Sequence, residues 1–382
     1  MLIDRRFFAN FDWALFVLVF LIPCFGLVVL YSAGYDPERT YFKLSWLGEG
    51  IHSLAFLKQS VFLSVGLIVF LVGLSIPTTF LHRHAYIFYG ICILLLIAVL
   101  LVGTVSNGSR RWLNFGAFNL QPSEFVKLAV ILASARYLSR NPPRGDSYAL
   151  TELFPPLFLI GCPMLLIMRQ PDLGTALSVG AVGAFLVCFI GVRFKAILTL
   201  LGVFVAGAIP AWSILHDYQK RRVLTLFNPE ADPLGSGYHV IQSKIAVGSG
   251  NIVGKGFLNG TQSQLEFLPE HTTDFVFSVL AEEWGFLGCI FILGLYCLLF
   301  IKILRVVSKS KDIFSALVAF GIGSQIFFHT IVNVGMVIGV LPVVGIPLPL
   351  FSYGGSSVLS VLFSLGIVAG ISIRRWVHTR GA

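Results

Sequence analysis

Ten stretches of the chain, at about 12–31, 57–77, 85–105, 123–139, 154–169, 174–191, 196–215, 274–302, 313–338 and 355–373, are dominated by apolar residues. A hydrocarbon core about 30 Å thick takes about 20 helical residues to cross, and each stretch meets or approaches that length. Lipid offers the backbone no hydrogen-bond partner, so a spanning segment must satisfy its own N–H and C=O groups, as a helix does. The expected fold class is therefore an all-α polytopic membrane protein with about ten transmembrane helices. Only 12% of the 382 residues are charged, about half the share in an average soluble domain, which excludes an ordinary soluble enzyme. No linker, low-complexity tract or visible internal repeat divides the sequence. A single domain over 1–382 is expected, with one long outer loop between the seventh and eighth helices, over about 216–273.

The formal net charge of +9 would suggest nucleic acid in a soluble protein. Here the cations sit mainly in short connections. Arg5, Arg6, Arg83, Arg136, Arg140, Arg144, Arg193, Lys195, Lys302, Arg305, Lys309, Lys311, Arg374, Arg375 and Arg380 all fall on one side if the N-terminus is cytoplasmic. That asymmetry is the positive-inside pattern; it places both termini in the cytoplasm and calls for no nucleic-acid partner. The first apolar stretch lacks a small-residue cleavage site after it and is expected to be a retained helix. The six cysteines lie within apolar stretches without CxxC spacing, as small buried residues would.

Against the topology rule, Arg110 and Arg111 fall on the outer side, followed by Trp112 and then by Ser123, Glu124 and Lys127 at the start of the fourth helix. Two cations kept there point to an anionic ligand, and planar guanidiniums suit phosphate. Glu124 and Lys127 share a helix face about 4 Å apart along the axis. They form either a self-neutralising pair that fixes packing or part of a protein-lined cavity. Trp112 offers a sugar-stacking face or an interfacial anchor. Asp172, in Arg169-Gln-Pro-Asp-Leu-Gly-Thr, is a candidate helix N-cap. Gln325, His329 and Asn333 recur at i,i+4 spacing, a polar stripe that must face the bundle. Pro342, Pro347 and Pro349 forbid a continuous helix in the last outer connection. That connection is too apolar for a free loop and reads as a re-entrant segment packed on the bundle.

The long loop holds Asp217-Tyr-Gln-Lys-Arg-Arg and glycines at 248, 250, 254 and 256, which suit a tight turn or a phosphate cradle. It ends in Leu265-Glu-Phe-Leu-Pro-Glu-His-Thr-Thr-Asp-Phe, where Glu266, Glu270, His271 and Asp274 feed into an apolar helix. An ionisable group at the boundary of water and membrane is a functional candidate, so Asp274 is either a helix cap or a general base. With the helix starting near Asp274, Glu282 is rotated by about 80° and lies about 12 Å inward, so the two can border one cavity. Glu283 points to the opposite face and needs a different partner. No metal-ligand spacing appears and no cofactor is identified; a divalent cation on an anionic ligand is conceivable, without a ligand cluster to hold it. Charges gathered at outer helix ends favour an enzyme working at the membrane surface. A transporter or lipid flippase would use the same groups as a path through the bilayer, and a scaffold would use the outer loop to dock a partner.

These segments resemble the SEDS family of bacterial shape, elongation, division and sporulation proteins over essentially the whole chain. The resemblance is carried by Arg110-Arg-Trp-Leu, Gln121-Pro-Ser-Glu-Phe-Val-Lys, Gln170-Pro-Asp-Leu-Gly-Thr, Asp232-Pro-Leu-Gly-Ser-Gly-Tyr, Leu268-Pro-Glu-His-Thr-Thr-Asp-Phe, Asn333-Val-Gly-Met and Pro347-Leu-Pro-Leu-Phe-Ser-Tyr-Gly-Gly-Ser-Ser. Ala281-Glu-Glu and Gly260-Thr-Gln-Ser-Gln-Leu-Glu look like the elongation, RodA-type branch; the division, FtsW-type branch is the alternative. The resemblance implies a peptidoglycan glycosyltransferase of the cytoplasmic membrane, acting on lipid II at the outer face. It also implies Asp274 as general base, and a class B penicillin-binding protein and the elongation machinery as partners. Arg110, Arg111, Trp112, Glu124, Lys127 and Glu282 are the expected substrate-binding residues. One departure stands out: the family commonly has His two residues before the aspartate, where this chain has Thr272, with His271 one place earlier.

Overall fold

The computed structural model describes residues 11–43, 50–106, 109–114, 116, 119–214, 217–231, 235–265, 267 and 270–377. Arg5, Arg6, Arg380, Glu266 and the Asp232–Leu234 part of the loop motif lie outside them. Every one of the ten apolar stretches is a helix: α1 (Trp13–Ala33), α2 (Leu54–Ser75), α3 (Thr78–Val102), α4 (Pro122–Arg140), α5 (Phe154–Met168), α6 (Leu173–Phe189) and α7 (Phe194–Ile214) lead into the long loop. That loop carries α8 (Asp217–Phe227), α9 (Ser236–Ser249) and the single turn α10 (Thr261–Gln264), and α11 (Val276–Ser308), α12 (Ile313–Val337) and α13 (Gly355–Val377) complete the bundle.

Among the described residues, seven helices are long and apolar enough to cross a membrane on those grounds alone. The fourth expected span, α4, misses that group because Glu124, Lys127, Arg136 and Arg140 all lie on it, α6 misses it by length, and α5 reaches it only with the 3-10 turn before it, as Leu150–Met168. Large apolar side chains face outward, as Leu101 does at 73% exposure and Leu94 at 67%, the inverse of a water-soluble surface. The closest helix pairing is between α2 and α13. A side chain at Gly73 would meet the Phe363 carbonyl, and one at Gly366 the Phe70 carbonyl. Small residues at such a crossing let backbones approach where lipid supplies no hydrophobic drive.

Polar contacts sort the helix ends into two faces. Asp12, the N-cap of α1, pairs with Lys302 of α11 at 3.1 Å. Arg374 near the end of α13 donates to the carbonyls of Leu74, Ser75 and Ile76, which closes the C-terminus of α2 with a cation. Arg136 on α4 donates to the Arg83 carbonyl of α3 at 2.7 Å. These contacts gather the basic connections on one face. The starts of α4, α6, α11 and α13, with their carboxylates and serines, lie at the other.

Two irregular segments shape that second face. A small antiparallel sheet of β1 (Thr104–Ser106), β2 (Ser109–Asn114) and β3 (Asn119–Leu120) covers the entry to α4. The connection between α12 and α13 is non-helical yet buried through Ile346, Leu348, Leu350 and Phe351, packed on the bundle as the re-entrant reading requires. Its freed backbone groups find side chains: Tyr296 donates to the Pro349 carbonyl at 2.5 Å, Asn333 to that of Ile346 at 2.8 Å, and Gln59 of α2 to that of Ser352 at 3.1 Å. The Gln59 carbonyl oxygen in turn accepts from the Gly354 N–H. A non-helical backbone packed among spanning helices is sustained where protein supplies such partners.

Candidate active site

Asp274 stands in a turn before α11, not on it. The carbonyl of Glu270, at φ +55°, accepts from the N–H groups of Thr273, Asp274 and Phe275 at 3.1, 3.1 and 3.3 Å. The helix itself starts at Val276 with Phe275 as its uncapped N-cap residue. The capping role expected as one alternative for Asp274 is therefore absent. Its backbone is clamped from two sides: the Asp274 carbonyl accepts from Asn333 of α12 at 2.9 Å, and the Tyr353 N–H donates to the Thr272 carbonyl at 3.0 Å. Asn333 thus holds the aspartate and the re-entrant segment together, with Ile346 on its second bond.

The carboxylate lies over Gly345, at φ +73°, where an added Cβ would approach Asp274 Oδ2 to 3.4 Å. Protein surrounds the carboxyl closely although the residue keeps some solvent contact. Desolvation pushes it up to about 6, Glu270 pushes in the same direction, and Arg222 and Arg111 pull against both. A carboxyl poised near neutrality is suited to general-base work.

Arg111 reaches this place through a β-bulge. In β2, Arg110 pairs with Val105 and Trp112 with Thr104, which leaves Arg111 as the extra residue, and a bulge re-aims the side chain it carries. Arg111 Nη2 donates to the Pro171 carbonyl at 2.5 Å and its Nε lies 3.7 Å from Asp172 Oδ2. Asp172 also caps α6, accepting from the Thr175 N–H at 3.2 Å and its hydroxyl at 2.9 Å. Arg110 stays exposed at the rim and Trp112 is half-buried beside it. The second cation near Asp274 is Arg222 of α8. The run Lys220-Arg-Arg does not single it out, because nothing in a loop of unknown path tells which of three adjacent cations turns inward.

Glu124 and Lys127 form a buried ion pair at 2.8 Å. The Glu124 carbonyl accepts from Ser360 of α13 at 2.9 Å, and the charge on Lys127 reaches His329 of α12. The pair therefore joins α4, α12 and α13 behind the re-entrant segment. Glu124 Oε2, Gln325 Oε1, His329 Nε2 and Asn333 Oδ1 are all buried without a protein partner, so a polar seam runs along α12 from the ion pair to the residue that holds Asp274.

Glu282 sits elsewhere than helical arithmetic places it. Its Oε1 accepts from Lys255 Nζ at 2.6 Å, from the N–H and hydroxyl of Thr261 at 2.8 and 2.9 Å, and from the Gln262 N–H at 3.2 Å. These bonds tie the long loop to α11 instead of lining a cavity with Asp274. The arithmetic assumed a helix running from residue 274, whereas Asp274 is outside it. Glu283 finds its separate partner in Ser32 of α1, which donates at 2.5 Å.

Just beyond, Gly285 has φ +63° and ψ −161°, breaking α11. The loop repairs the break: Lys255 and Gly256 donate to the carbonyls of Glu282 and Glu283, and Phe286 and Leu287 donate to those of Asn251 and Ile252. A Cβ on Gly254 would lie 2.1 Å from the Glu283 carbonyl oxygen, so close backbone approach explains this glycine. Among the described residues no group of three or more His, Cys, Asp or Glu side chains is placed to hold a metal ion.

The FtsW/RodA/SpoVE family profile, described as a cell cycle protein, matches residues 12–376. This chain belongs to that family, the SEDS proteins. The SEDS fold is shared in detail with the rod shape determining protein RodA of Thermus thermophilus, with a TM-score of 0.68 at 31% identity over 96% of this chain and 98% of that one. A chain from a structure on coordination of polymerization and crosslinking by a peptidoglycan synthase complex superposes with a TM-score of 0.79 at 35% identity, covering 96% and 99%. In sequence, the chain is 45% identical to the peptidoglycan glycosyltransferase MrdB of Escherichia coli K12 over 317 residues, 82% of this chain and 84% of the relative. It is 33% identical to the peptidoglycan glycosyltransferase RodA of Treponema pallidum, covering 96% and 98%. The chain is accordingly a multi-pass membrane protein of a bacterial family.

Proposed function

We propose that this peptidoglycan glycosyltransferase of the RodA/MrdB type polymerises lipid II during cell elongation with Asp274 as its general base. The observation that carries the reading is the placement of Asp274, its backbone clamped by Asn333 and its carboxyl packed over Gly345 and faced by Arg111 and Arg222. Asp274 takes the proton from the 4-hydroxyl of the acceptor sugar as that oxygen attacks the anomeric carbon of the other chain. The new C–O bond forms as the bond to the undecaprenyl pyrophosphate breaks, the anomeric carbon inverts, and the leaving group departs with the electron pair. Arg111, with Arg110 at the rim and Arg222 from the loop, meets the pyrophosphate charge. Trp112 offers its ring to a sugar. Lys127, paired with Glu124, fixes the wall formed by α4 and adds positive potential behind the site. Glu282 acts at one remove, by holding the loop.

The protein works in a peptidoglycan synthase complex with a crosslinking partner. That partner is a class B penicillin-binding protein, docked along an apolar helix face and the outer loop. Both termini face the cytoplasm and the site opens outward; the gathering of Arg136, Arg374, Lys302 and their neighbours on one face supports this orientation. The deciding experiment mixes the purified complex with labelled lipid II. Glycan strands form with the unmodified protein and are abolished in Asp274→Asn, which stays folded; undiminished synthesis by that variant removes Asp274 from the mechanism.

A further inference from the structure

On the basic face, far from Asp274, the starts of α3 and α12 and the end of α4 border an open cavity of about 570 Å³ whose polar lining is Thr78, Thr79, His82, Ser139, Lys311 and Asp312, with Ile313 and Phe314 on its apolar side. Three features give it a preference for anions. The first turn of α3 opens here with Pro77 as N-cap and no side-chain cap; the Phe80 N–H turns back to the Pro77 carbonyl, and the N–H groups of Thr78 and Thr79, with the helix dipole, face the space. Lys311 lines the wall, and Arg136 and Arg140 stand near enough to act on His82. The one carboxylate present is committed: Asp312 caps α12, its two oxygens accepting from the Ser315 N–H at 2.9 Å and hydroxyl at 2.8 Å. His82 is held edge-on against Phe314, with ring centroids 4.9 Å apart. Arg136 spans the neighbouring wall, 4.5 Å above the Tyr86 ring, with its buried Nε unpartnered.

We infer that this cavity binds a phosphate-bearing anion, in the membrane the headgroup of an acidic phospholipid. Hydroxyls of Thr78 and Thr79 and the open turn of α3 receive the phosphate oxygens, while Lys311 and the arginines neutralise the charge. The apolar rim favours a lipid over free phosphate: Ile313 beside the mouth is 63% exposed, at the end of a helix long enough to span. A basic pocket between helix ends at a membrane edge suits such headgroups. The site is independent of glycan synthesis.

The test uses the full chain in detergent, titrated with phosphatidylglycerol, with phosphatidylcholine and with inorganic phosphate, and read by native mass spectrometry. Phosphatidylglycerol binds more tightly than phosphatidylcholine, and Lys311→Gln and Arg140→Gln each weaken it about fivefold, the effect of one cation near a headgroup. Both residues are exposed, so folding and polymerisation are unchanged. Failure of excess phosphate to displace the lipid identifies the source as lipid; displacement identifies free phosphate. Equal binding of the two lipids without any phosphate binding, or wild-type affinity in both variants, overturns the assignment.

Discussion

Replacing Glu270 by Gln removes one of the three influences that raise the Asp274 pKa and leaves burial, the largest, and the weaker push of Asp172 in place. The unmodified base, with a pKa of about 6, is half ionised at pH 6 and about one-tenth ionised at pH 5. A carboxyl at the ordinary value of about 3.9 would be more than about nine-tenths ionised at pH 5. The rate per lipid II at low substrate, which reports the free enzyme, is thus expected to fall about tenfold per pH unit below 6. In Glu270→Gln the acid limb moves to lower pH but stays above that of an exposed aspartate. In Arg111→Gln it moves to higher pH, because a cation that favours the ionised form is lost. The assay is the initial rate of polymer formation from labelled lipid II across the acid range, with protein integrity checked at each pH. A flat profile between pH 5 and 7, or an upward shift in Glu270→Gln, refutes the argument that Asp274 accepts the proton.

Four further outcomes follow from the geometry. Asp274→Asn is expected to raise Tm relative to the unmodified protein at pH 7 but not at pH 4: the folded state holds the proton up to about pH 6, so the stability linked to it is lost as pH rises through that value. Glu124→Gln strands Lys127, 1% exposed, and costs about 3–5 kcal/mol in urea or thermal unfolding; pairing it with Lys127→Met restores much of the stability while polymerisation stays low. Glu282→Gln keeps the shape of the side chain but weakens the tie to Lys255, so limited proteolysis cuts the 255–264 region faster and kcat falls more than lipid II affinity. Gly254→Val cannot clear the Glu283 carbonyl and is expected to lower Tm by several degrees or prevent accumulation of folded protein.

The helices were legible because hydrocarbon imposes one rule on every span, and a run of apolar residues meets it wherever it occurs. Prolines at 342, 347 and 349 announced the re-entrant segment for the same reason. Within the site, local pairings were legible: the Glu124–Lys127 pair and the Asp172 cap depend only on i,i+3 spacing. Long-range partners were not. Arg222 comes to Asp274 across a loop whose path no local rule sets, and Arg111 is aimed by a bulge that pattern alone does not reveal. The place of Glu282 is not legible from helical spacing, because the regular helix stops short of Asp274, where the chain turns around the Glu270 carbonyl.

The break at Gly285 has a consequence for how amide protons exchange with solvent. The N–H groups of Lys255 and Gly256 belong to a loop by sequence, yet they bond to carbonyls of a helix, while those of Phe286 and Leu287 bond outward to the loop. Releasing either strand of this exchange strips partners from both at once, so all four amides are expected to open together, at the slow rate of a membrane helix. The long connection is, at that point, a cooperative part of α11, and the stretch that carries Asp274 inherits its rigidity from a segment some twenty residues earlier in the chain.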